Sequence, residues 1–298
     1  CDLDEALVQK RGAEYGVQRL YTDADEMLQL KELQAVSICA WNAAHAPLVI
    51  AALKAGKHVL CEKPFALTMA ACQRMADAAA GAGKVLMVGQ VLRWWPEYEE
   101  IARRIRRDDM GKLRSLCAQR LQHSAREGWF MDPKLGGGAL FDLHVHDVDY
   151  VCSLMGANPV SVSAQGFRGA QGSWRQISST LRWQNGVVAQ LEACNQMPAG
   201  YPFTASFRAE YENACLEYRF RAPVNIQKNA ATTAEFLCYR DGAVDPLPLS
   251  ENAQETAFRN EIRAFISGAQ RGESPRPVQE SVAVMSIIHA IKAALEQS

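Results

Sequence analysis

The sequence predicts an α/β domain with a doubly wound parallel sheet, followed by an α+β domain with a largely antiparallel open sheet. From Cys1 to about Gln90, short apolar strands alternate with amphipathic helices, which is typical of a parallel sheet covered by helices. After Val160 the pattern consists mostly of strands and turns, and Asn185-Gly186 marks a tight hairpin between two of the strands.

The first domain is predicted from helices and strands that follow one another in turn. Gly16 and Gly56 stand where two of its helices end, and Thr68 is a favourable N-cap for a third. We predict helices at 5–15, 46–55 and 68–82, and strands at 35–40, 58–61 and 84–89.

The second domain begins with a charged helix and ends with two helices separated by a proline-rich break. An antiparallel sheet with helices on one side leaves a second face, which we expect to be apolar and to need cover. We predict helices at 96–109, 138–155, 255–270 and 280–296, and strands at 113–123, 160–165, 174–183, 187–194, 203–211, 215–220 and 235–239.

Composition excludes several classes of function. The 298 residues carry a net charge of −1, which gives no reason to expect nucleic acid or an anionic membrane as a partner. No apolar run approaches the roughly 18 residues of a membrane span. The nine cysteines show no paired metal spacing, and reduced thiols in a cytoplasmic protein are the simplest interpretation.

Three residues indicate the chemistry. Lys63 ends an apolar strand just before a proline, and Asp142 and His146 are four residues apart on a helix that three glycines open. A lysine, an aspartate and a histidine facing one cleft can take a proton from an alcohol while a cofactor takes its hydride. The sequence therefore predicts a dehydrogenase with no metal at its site.

Together these motifs resemble those of the Gfo/Idh/MocA oxidoreductases, and the resemblance covers essentially the whole chain. Each motif alone is weak, whereas their order along the chain is specific. The matching segments are Cys1-Asp2, Asn42-x-x-His45, Gly56-Lys57-His58-Val59, Glu62-Lys63-Pro64, Val88-Gly89-Gln90, Gly136-Gly137-Gly138 and Asp142-x-x-x-His146.

The resemblance implies a Rossmann domain at residues 1–94 that binds a dinucleotide, and a domain at 95–298 that binds substrate and mediates oligomerisation. It implies hydride transfer between NAD, or alternatively NADP, and a secondary alcohol of a sugar, polyol or inositol-like substrate. A homodimer packed sheet to sheet, or a homotetramer of such dimers, is implied as well. The first Rossmann strand and its glycine-rich turn have no counterpart here, so we expect this chain to bind the cofactor weakly.

The resemblance also implies roles for individual residues. Lys63, Asp142 and His146 are the implied catalytic groups, and Lys63 and His146 remain alternative proton acceptors. The cofactor-binding residues are expected to be Asp2, Asn42, His45, Glu62, Lys63 and Gln90. The substrate-binding residues are expected to be Lys63, Arg93, Trp129, Asp142 and His146.

Other interpretations remain open at this point. Asp142-x-His144-x-His146 also fits a motif of metal-dependent amidohydrolases, in which two histidines bind a divalent ion. A non-catalytic Rossmann-like binding or regulatory protein is the second alternative. Asp147 and Asp149 are interpreted as cap or surface charges, and Asp2 alternatively as the N-cap of the first helix.

Overall fold

Two β-sheets organise the computed structural model, which describes residues 1–107, 109–124, 128–223 and 232–297. The first sheet has the order β1-β2-β3 and the second the order β11-β10-β9-β8-β4-β7-β6-β5. The strands are β1 (Ala35–Ile38), β2 (His58–Glu62), β3 (Leu86–Gly89), β4 (Leu113–Leu121), β5 (Ser161–Arg168), β6 (Trp174–Arg182), β7 (Val188–Cys194), β8 (Phe203–Tyr211), β9 (Ala214–Ala222), β10 (Thr233–Arg240) and β11 (Ala243–Pro246).

Helices cover both sheets, and they agree closely with the predicted positions apart from α2, which the sequence analysis missed. The helices are α1 (Glu5–Tyr15), α2 (Ala24–Leu28), α3 (His45–Lys54), α4 (Met69–Ala82), α5 (Pro96–Arg107), α6 (Val145–Met155), α7 (Ala253–Arg271) and α8 (Val278–Gln297).

The first sheet is parallel throughout, as predicted. β2 is its central strand and pairs in parallel with β1 and with β3. Helix α4 begins at the predicted N-cap, because the Thr68 hydroxyl accepts a hydrogen bond from the backbone N–H of Ala71. Helix α1 is capped by Asp4, whereas Asp2 is exposed and lies outside every described strand.

The second sheet is mixed. Its pairings are antiparallel except for β4 and β7, which run in parallel at its centre. The predicted hairpin joins β6 to β7, with Gly186 at φ 88° and Asn185 accepting a hydrogen bond from the Val187 N–H. An α/β domain followed by a largely antiparallel sheet is therefore confirmed.

The face of the second sheet that no described helix covers is polar, so the prediction of an apolar face is wrong. Alternate residues of its strands carry amide, hydroxyl and charged groups that bond across the sheet. Gln119 donates to Glu192 at 2.8 Å, and Ser115 donates to Glu210 at 2.5 Å. Alternation places apolar residues on the helix-covered face and leaves the polar ones outside.

The two C-terminal helices return to the first half of the chain. Phe265 of α7 packs in one apolar cluster with Leu60 of β2 and Met87 of β3. Helix α8 is long and apolar enough by composition to cross a membrane, which the sequence analysis did not anticipate. Its residues Ile288 and Ile291 are fully buried, so its apolar character serves the protein core.

A buried ion pair joins the segment after β3 to helix α6. The Arg93 guanidinium donates to both carboxylate oxygens of Asp149, at 2.6 and 2.8 Å, and also to Glu280. Asp149 is fully buried, which corrects its interpretation as a surface or cap charge. Arg93, predicted to contact substrate, instead has its donors engaged in this pair.

We expect Asp149→Asn to lower the free energy of unfolding by about 3 kcal/mol, because it leaves the buried Arg93 cation without its main partner. Glu255→Gln is the matched control, since it breaks an exposed pair with Arg259 and should cost less than about 1 kcal/mol. Chemical denaturation measures both variants. Equal losses would contradict the importance assigned to the buried pair.

Candidate active site

Lys63 directly follows β2, the central strand of the parallel sheet. Its Nζ donates to the Oδ1 atom and to the backbone carbonyl of Asp142, at 2.9 Å each. Both side chains are 17% exposed, so the ion pair is shielded from bulk water but accessible to a small molecule. An ammonium has three N–H donors, and one therefore remains for a substrate oxygen.

The glycines at 136–138 let the chain pass close to its neighbours just before the aspartate of this pair. A Cβ atom on Gly136 would lie 2.4 Å from the carbonyl oxygen of Phe130, and Gly138 has a φ of +68°. A side chain is excluded at the first position and strained at the second. A π-helical turn at Leu140–His144 follows and leads into α6, where the sequence predicted one continuous helix.

His146 is partly buried and lines the same cavity as Lys63. Burial, together with the cations Lys63 and Arg120, lowers the pKa of His146 well below its ordinary 6.5. The Asp142 carboxylate bonds to Lys63 rather than to this imidazole, and the His146 Nδ1 atom has no hydrogen-bond partner among the described residues. The ring is therefore neutral near pH 7 and able to accept a proton.

A cavity of about 910 Å³ lies between the end of β2 and the helix-covered face of the second sheet. Its polar lining comes from both halves of the chain, and its apolar lining is largely aromatic. The lining residues are Glu62, Lys63, Val91, Leu92, Trp95, Tyr98, Arg120, Gln122, His123, Ser124, His146, Phe203, Ala205, Tyr218, Phe220, Ala222, Pro223, Gln254 and Phe258.

Arg120 is the site residue that sequence reasoning missed most clearly. It lies on the buried face of β4 with Leu116 and Ala118. Because alternate residues of a strand share one face, an arginine in the apolar series could have been recognised from the sequence. Its guanidinium donates to both carboxylate oxygens of Asp147, at 2.8 and 3.1 Å. Asp147 is buried and is therefore not the surface or cap charge that was expected.

Trp129 is separate from this arrangement. It is 42% exposed, lies in the short turn Gly128–Met131, and packs edge-on against Phe130. His123, which lies between β4 and this turn, does line the cavity. Its Nδ1 atom lies 2.8 Å from the carbonyl oxygen of Met197.

The histidines of the amidohydrolase-like motif do not converge on one point. His144 is fully buried, and its Nε2 atom lies 2.8 Å from the Ser179 hydroxyl. Burial lowers the pKa of His144 to about 3. Within the described ranges of the chain, no group of three or more His, Cys, Asp or Glu side chains is placed to hold a metal ion.

Comparison with known proteins agrees with this geometry. Residues 1–90 match the family model described as "Oxidoreductase family, NAD-binding Rossmann fold", and residues 98–217 match the "GFO/IDH/MocA C-terminal domain". The chain belongs to the Gfo/Idh/MocA oxidoreductase family. The predicted domain boundary at residues 94 and 95 stays a prediction, and α7 of the second half packs on the first sheet.

Relatives in this family act on sugars. The chain is 27% identical to D-glucoside 3-dehydrogenase of Escherichia coli (strain K12), over 100% of its own length and 86% of that protein. It is 33% identical to 1,5-anhydro-D-fructose reductase of Ensifer adhaerens over 61% of its own length, and this match spans 57% of that relative.

Solved structures show the same fold. The aldose-aldose oxidoreductase from Caulobacter crescentus, complexed with glycerol, has a TM-score of 0.83 at 21% identity, with 99% of this chain and 88% of that chain covered. A levoglucosan dehydrogenase in complex with NADH and levoglucosan has a TM-score of 0.82 at 21% identity, with 99% and 87% covered.

The edge of the parallel sheet fits the nicotinamide cofactor that this family uses. Ligands of open α/β sheets bind at the carboxyl ends of the strands. Glu62 is the last residue of β2, Lys63 follows it, and Gln90 directly follows β3. Gln90 is 5% exposed, and its Oε1 atom has no hydrogen-bond partner in the part of the chain that the structure describes. An unsatisfied buried oxygen at this edge is suited to an amide or hydroxyl donor of a ligand.

Asn42 and His45 form hydrogen bonds between the loops at this edge of the sheet. The Asn42 amide donates to the carbonyl oxygen of Gly136 at 2.6 Å. The two ring nitrogens of His45 lie 2.8 and 3.0 Å from the carbonyl oxygens of Pro64 and Ala40. Both side chains, predicted to bind cofactor, therefore hold together the loops that carry Lys63 and the glycine run.

Helix α7 carries a further buried carboxyl group near the site. Glu261 of α7 is 1% exposed, and its Oε1 atom finds no hydrogen-bond partner within the described ranges. Burial, reinforced by the carboxylates of Glu62 and Asp149, raises the pKa of Glu261 to about 8. Burial also raises the pKa of Glu62, and the neighbouring Lys63 offsets part of that effect.

This shift predicts a measurable pH dependence of stability. Between the ordinary pKa of 4.5 and about 8, folding requires Glu261 to hold a proton that the unfolded chain has released. The contribution of Glu261 to stability therefore falls by roughly 5 kcal/mol as the pH rises through this window. Glu261→Gln stays neutral, so it should remove this decline and be more stable than the parent at pH 8.

Chemical denaturation from pH 5 to pH 9 tests this expectation. Glu255→Gln serves as control because that carboxylate is exposed on the same helix, and it should keep the parental slope. A Glu261→Gln variant that is destabilised equally at every pH would show that the carboxyl makes a structural contact instead.

Proposed function

We propose that this protein oxidises a secondary alcohol of a sugar or polyol and reduces the corresponding ketone, using NAD or NADP. The observation that carries the proposal is the Lys63–Asp142 ion pair, which lies where the end of the parallel sheet meets a cavity also lined by His146. The family relatives that act on sugars and inositols support the same reaction class.

The site residues have distinct tasks in this reaction. The free N–H of Lys63 donates to the substrate oxygen and stabilises the negative charge that develops on it. The neutral imidazole of His146 accepts the hydroxyl proton as general base. Asp142 fixes the position of the Lys63 ammonium. When bound, the nicotinamide supplies the hydride acceptor in one direction and the hydride donor in the other.

Glu62, Lys63 and Gln90 are the residues that would hold the nicotinamide end of the cofactor. Asp2 is proposed to accept hydrogen bonds from the adenosine ribose, and its negative charge would repel a 2′-phosphate and favour NAD over NADP. Asp2 is exposed, and its carboxylate accepts a hydrogen bond from the Asp4 N–H at 3.0 Å.

A panel of sugars, polyols and inositols with NAD and with NADP tests the activity, and Lys63→Met tests the mechanism. We expect Lys63→Met and His146→Ala to lower kcat by about 100-fold or more. Lys292→Met on the exposed face of α8 is the control and should keep full activity.

The pH dependence of kcat/KM shows whether His146 or Lys63 accepts the proton. Because burial and nearby cations lower the pKa of His146, we expect the acid limb of kcat/KM to lie below pH 6.5 and to disappear in His146→Ala. Loss of the limb in Lys63→Met, with its retention in His146→Ala, would give the base role to the lysine. NADH binding without turnover on any substrate would favour a non-catalytic binding protein.

We also propose a homodimer formed through the polar face of the second sheet, with a tetramer of two such dimers as the larger form. Arginines and glutamates alternate across this face, including Arg208, Arg219, Glu192 and Glu210. A surface that carries both charges can pair with its own copy about a two-fold axis.

We also propose a cytoplasmic location. None of the nine cysteines forms a disulfide bond, which supports this location.

Light scattering tests the assembly. We expect a mass of at least twice the 32.9 kDa of the chain, reduced to one chain by Arg208→Glu, which places like charges across the proposed axis. Arg259→Glu on helix α7 is the control and should leave the mass unchanged. A monomer of the parent protein at micromolar concentration would overturn the proposal.

A further inference from the structure

Helix α7 carries a carboxyl group on its buried face. The buried residues of this helix are Ala257, Glu261, Phe265 and Gly268, and their spacing of three and four residues places them on one face. A carboxylate at such a position is costly to bury unless it has a partner. The hydride-transfer chemistry proposed above gives Glu261 no task.

The direction of α7 brings its first turns to the carboxyl ends of the parallel strands. Ser274, just beyond the end of α7, donates a hydrogen bond to the carbonyl oxygen of Leu86, the first residue of β3. Gln254, in the first turn of α7, lines the cavity at the other end of the sheet. The helix therefore runs antiparallel to β2 and β3.

This direction places Glu261 beside Glu62. Phe265 packs on Leu60 of β2. Four helical residues back from Phe265 advance about 6 Å, and two strand residues on from Leu60 advance about 6.6 Å, so the two steps lead to Glu261 and Glu62. A Cβ atom on Gly89, the partner of Glu62 in β3, would lie 3.4 Å from the Glu62 carboxyl carbon. The missing side chain of this glycine leaves space for the Glu62 carboxyl group.

The other charged groups around this part of α7 have contacts of their own. These contacts are Arg93 with Asp149 and Glu280, Lys63 with Asp142, Glu97 with the Ser250 N–H, and Arg276 with the Trp94 ring. Among the described residues, Glu62 and Asp149 are the charges that raise the pKa of Glu261, and Glu62 has the larger effect. Glu62 is therefore the group whose charge Glu261 senses most strongly.

Two carboxyl groups that lie side by side away from water resist double ionisation, because their negative charges repel each other. Burial raises the pKa of both groups, and for Glu261 the result is a pKa of about 8. Glu62 and Glu261 together therefore hold one proton and one negative charge near pH 7. Glu62 also lines the cavity, so the charge of a bound ligand can change this balance.

We propose that Glu62 and Glu261 form an acid pair that releases its proton when the oxidised nicotinamide binds and regains it when the ring is reduced. This inference rests on the proposed dehydrogenase activity and adds a linked proton to its cofactor step. The oxidised ring carries a positive charge and the reduced ring carries none, so only the oxidised ring favours a second negative charge beside it. Glu261 acts through Glu62 and is a positioning residue.

The proton balance of the reaction follows from this pair. Oxidation of the alcohol removes one hydroxyl proton and makes the ring neutral, and the acid pair then takes up a proton. The O–H bond of the Glu261 carboxyl group forms in this step, and the proton reaches it by way of Glu62. The bound reactants and the protein together therefore release no proton during hydride transfer. The proton passes to water when the next oxidised cofactor binds.

Calorimetric titration in phosphate and in Tris counts the protons, because the two buffers have different heats of ionisation. We expect about half a proton to be released at pH 7.5 on binding of oxidised NAD, for a one-unit fall from the pKa of about 8. NADH should release none. From pH 6 to pH 9, the Kd for oxidised NAD should fall about 10-fold and the Kd for NADH should change less than about two-fold.

Glu261→Gln gives the second arm of the test, because the amide has the shape of the carboxyl group and has no proton to release. It should abolish the proton release and the pH dependence, and leave the Kd for NADH within about two-fold. Glu255→Gln is the matched control, since that carboxylate is exposed on the same helix, and it should behave as the parent does. Equal proton release on NAD and NADH, or undiminished release in Glu261→Gln, would overturn the acid pair.

The two proposals fail in different ways. Proton-linked binding of oxidised NAD without turnover on any sugar, polyol or inositol leaves the acid pair and removes the dehydrogenase. Turnover with the same pH dependence of binding for NAD and NADH removes the acid pair and leaves the dehydrogenase. Absence of binding by both forms removes both. The parental comparison needs no variant, so the outcome does not depend on whether Glu261→Gln folds.

Discussion

The contact between Lys63 and Asp142 is the interaction on which the arrangement of the site depends. One partner follows the central strand of the first sheet, and the other lies in the turn that opens α6 beneath the second sheet. The glycine run lets the chain approach its neighbours closely just before the aspartate that holds the lysine. The close approach at Gly136 and the brace from Asn42 therefore serve the position of one ammonium group.

Sequence patterns predicted the elements well because those elements follow local rules. The Thr68 cap and the Asn185-Gly186 hairpin each depend on a few neighbouring residues. At the site, the sequence predicted Lys63, Asp142 and His146 around one cleft; the aspartate bonds to the lysine, and the lysine and the histidine line one cavity. A π-helical turn at Leu140–His144 stands where periodicity predicted a regular helix, and helical periodicity does not reveal such a turn.

The burial of charged side chains is the feature that the sequence predicted least well. Asp147 and Asp149 were interpreted as surface or cap charges, but each is buried against an arginine that lies far away in the chain. Pairings over such distances leave no local pattern, because either partner alone resembles an ordinary polar residue. Arg120 on the apolar face of β4 was the one exception that alternation could have exposed.

Helix α7 has a consequence for how the protein is made. Gln254 and Phe258 line the cavity, and Phe265 covers the sheet residues Leu60 and Met87, although about 165 residues separate the helix from that sheet. Chains emerge from the ribosome with the N-terminal part first. That face of the sheet therefore stays exposed to water and to chaperones until α7 has been synthesised, and the binding cavity cannot be completed before then.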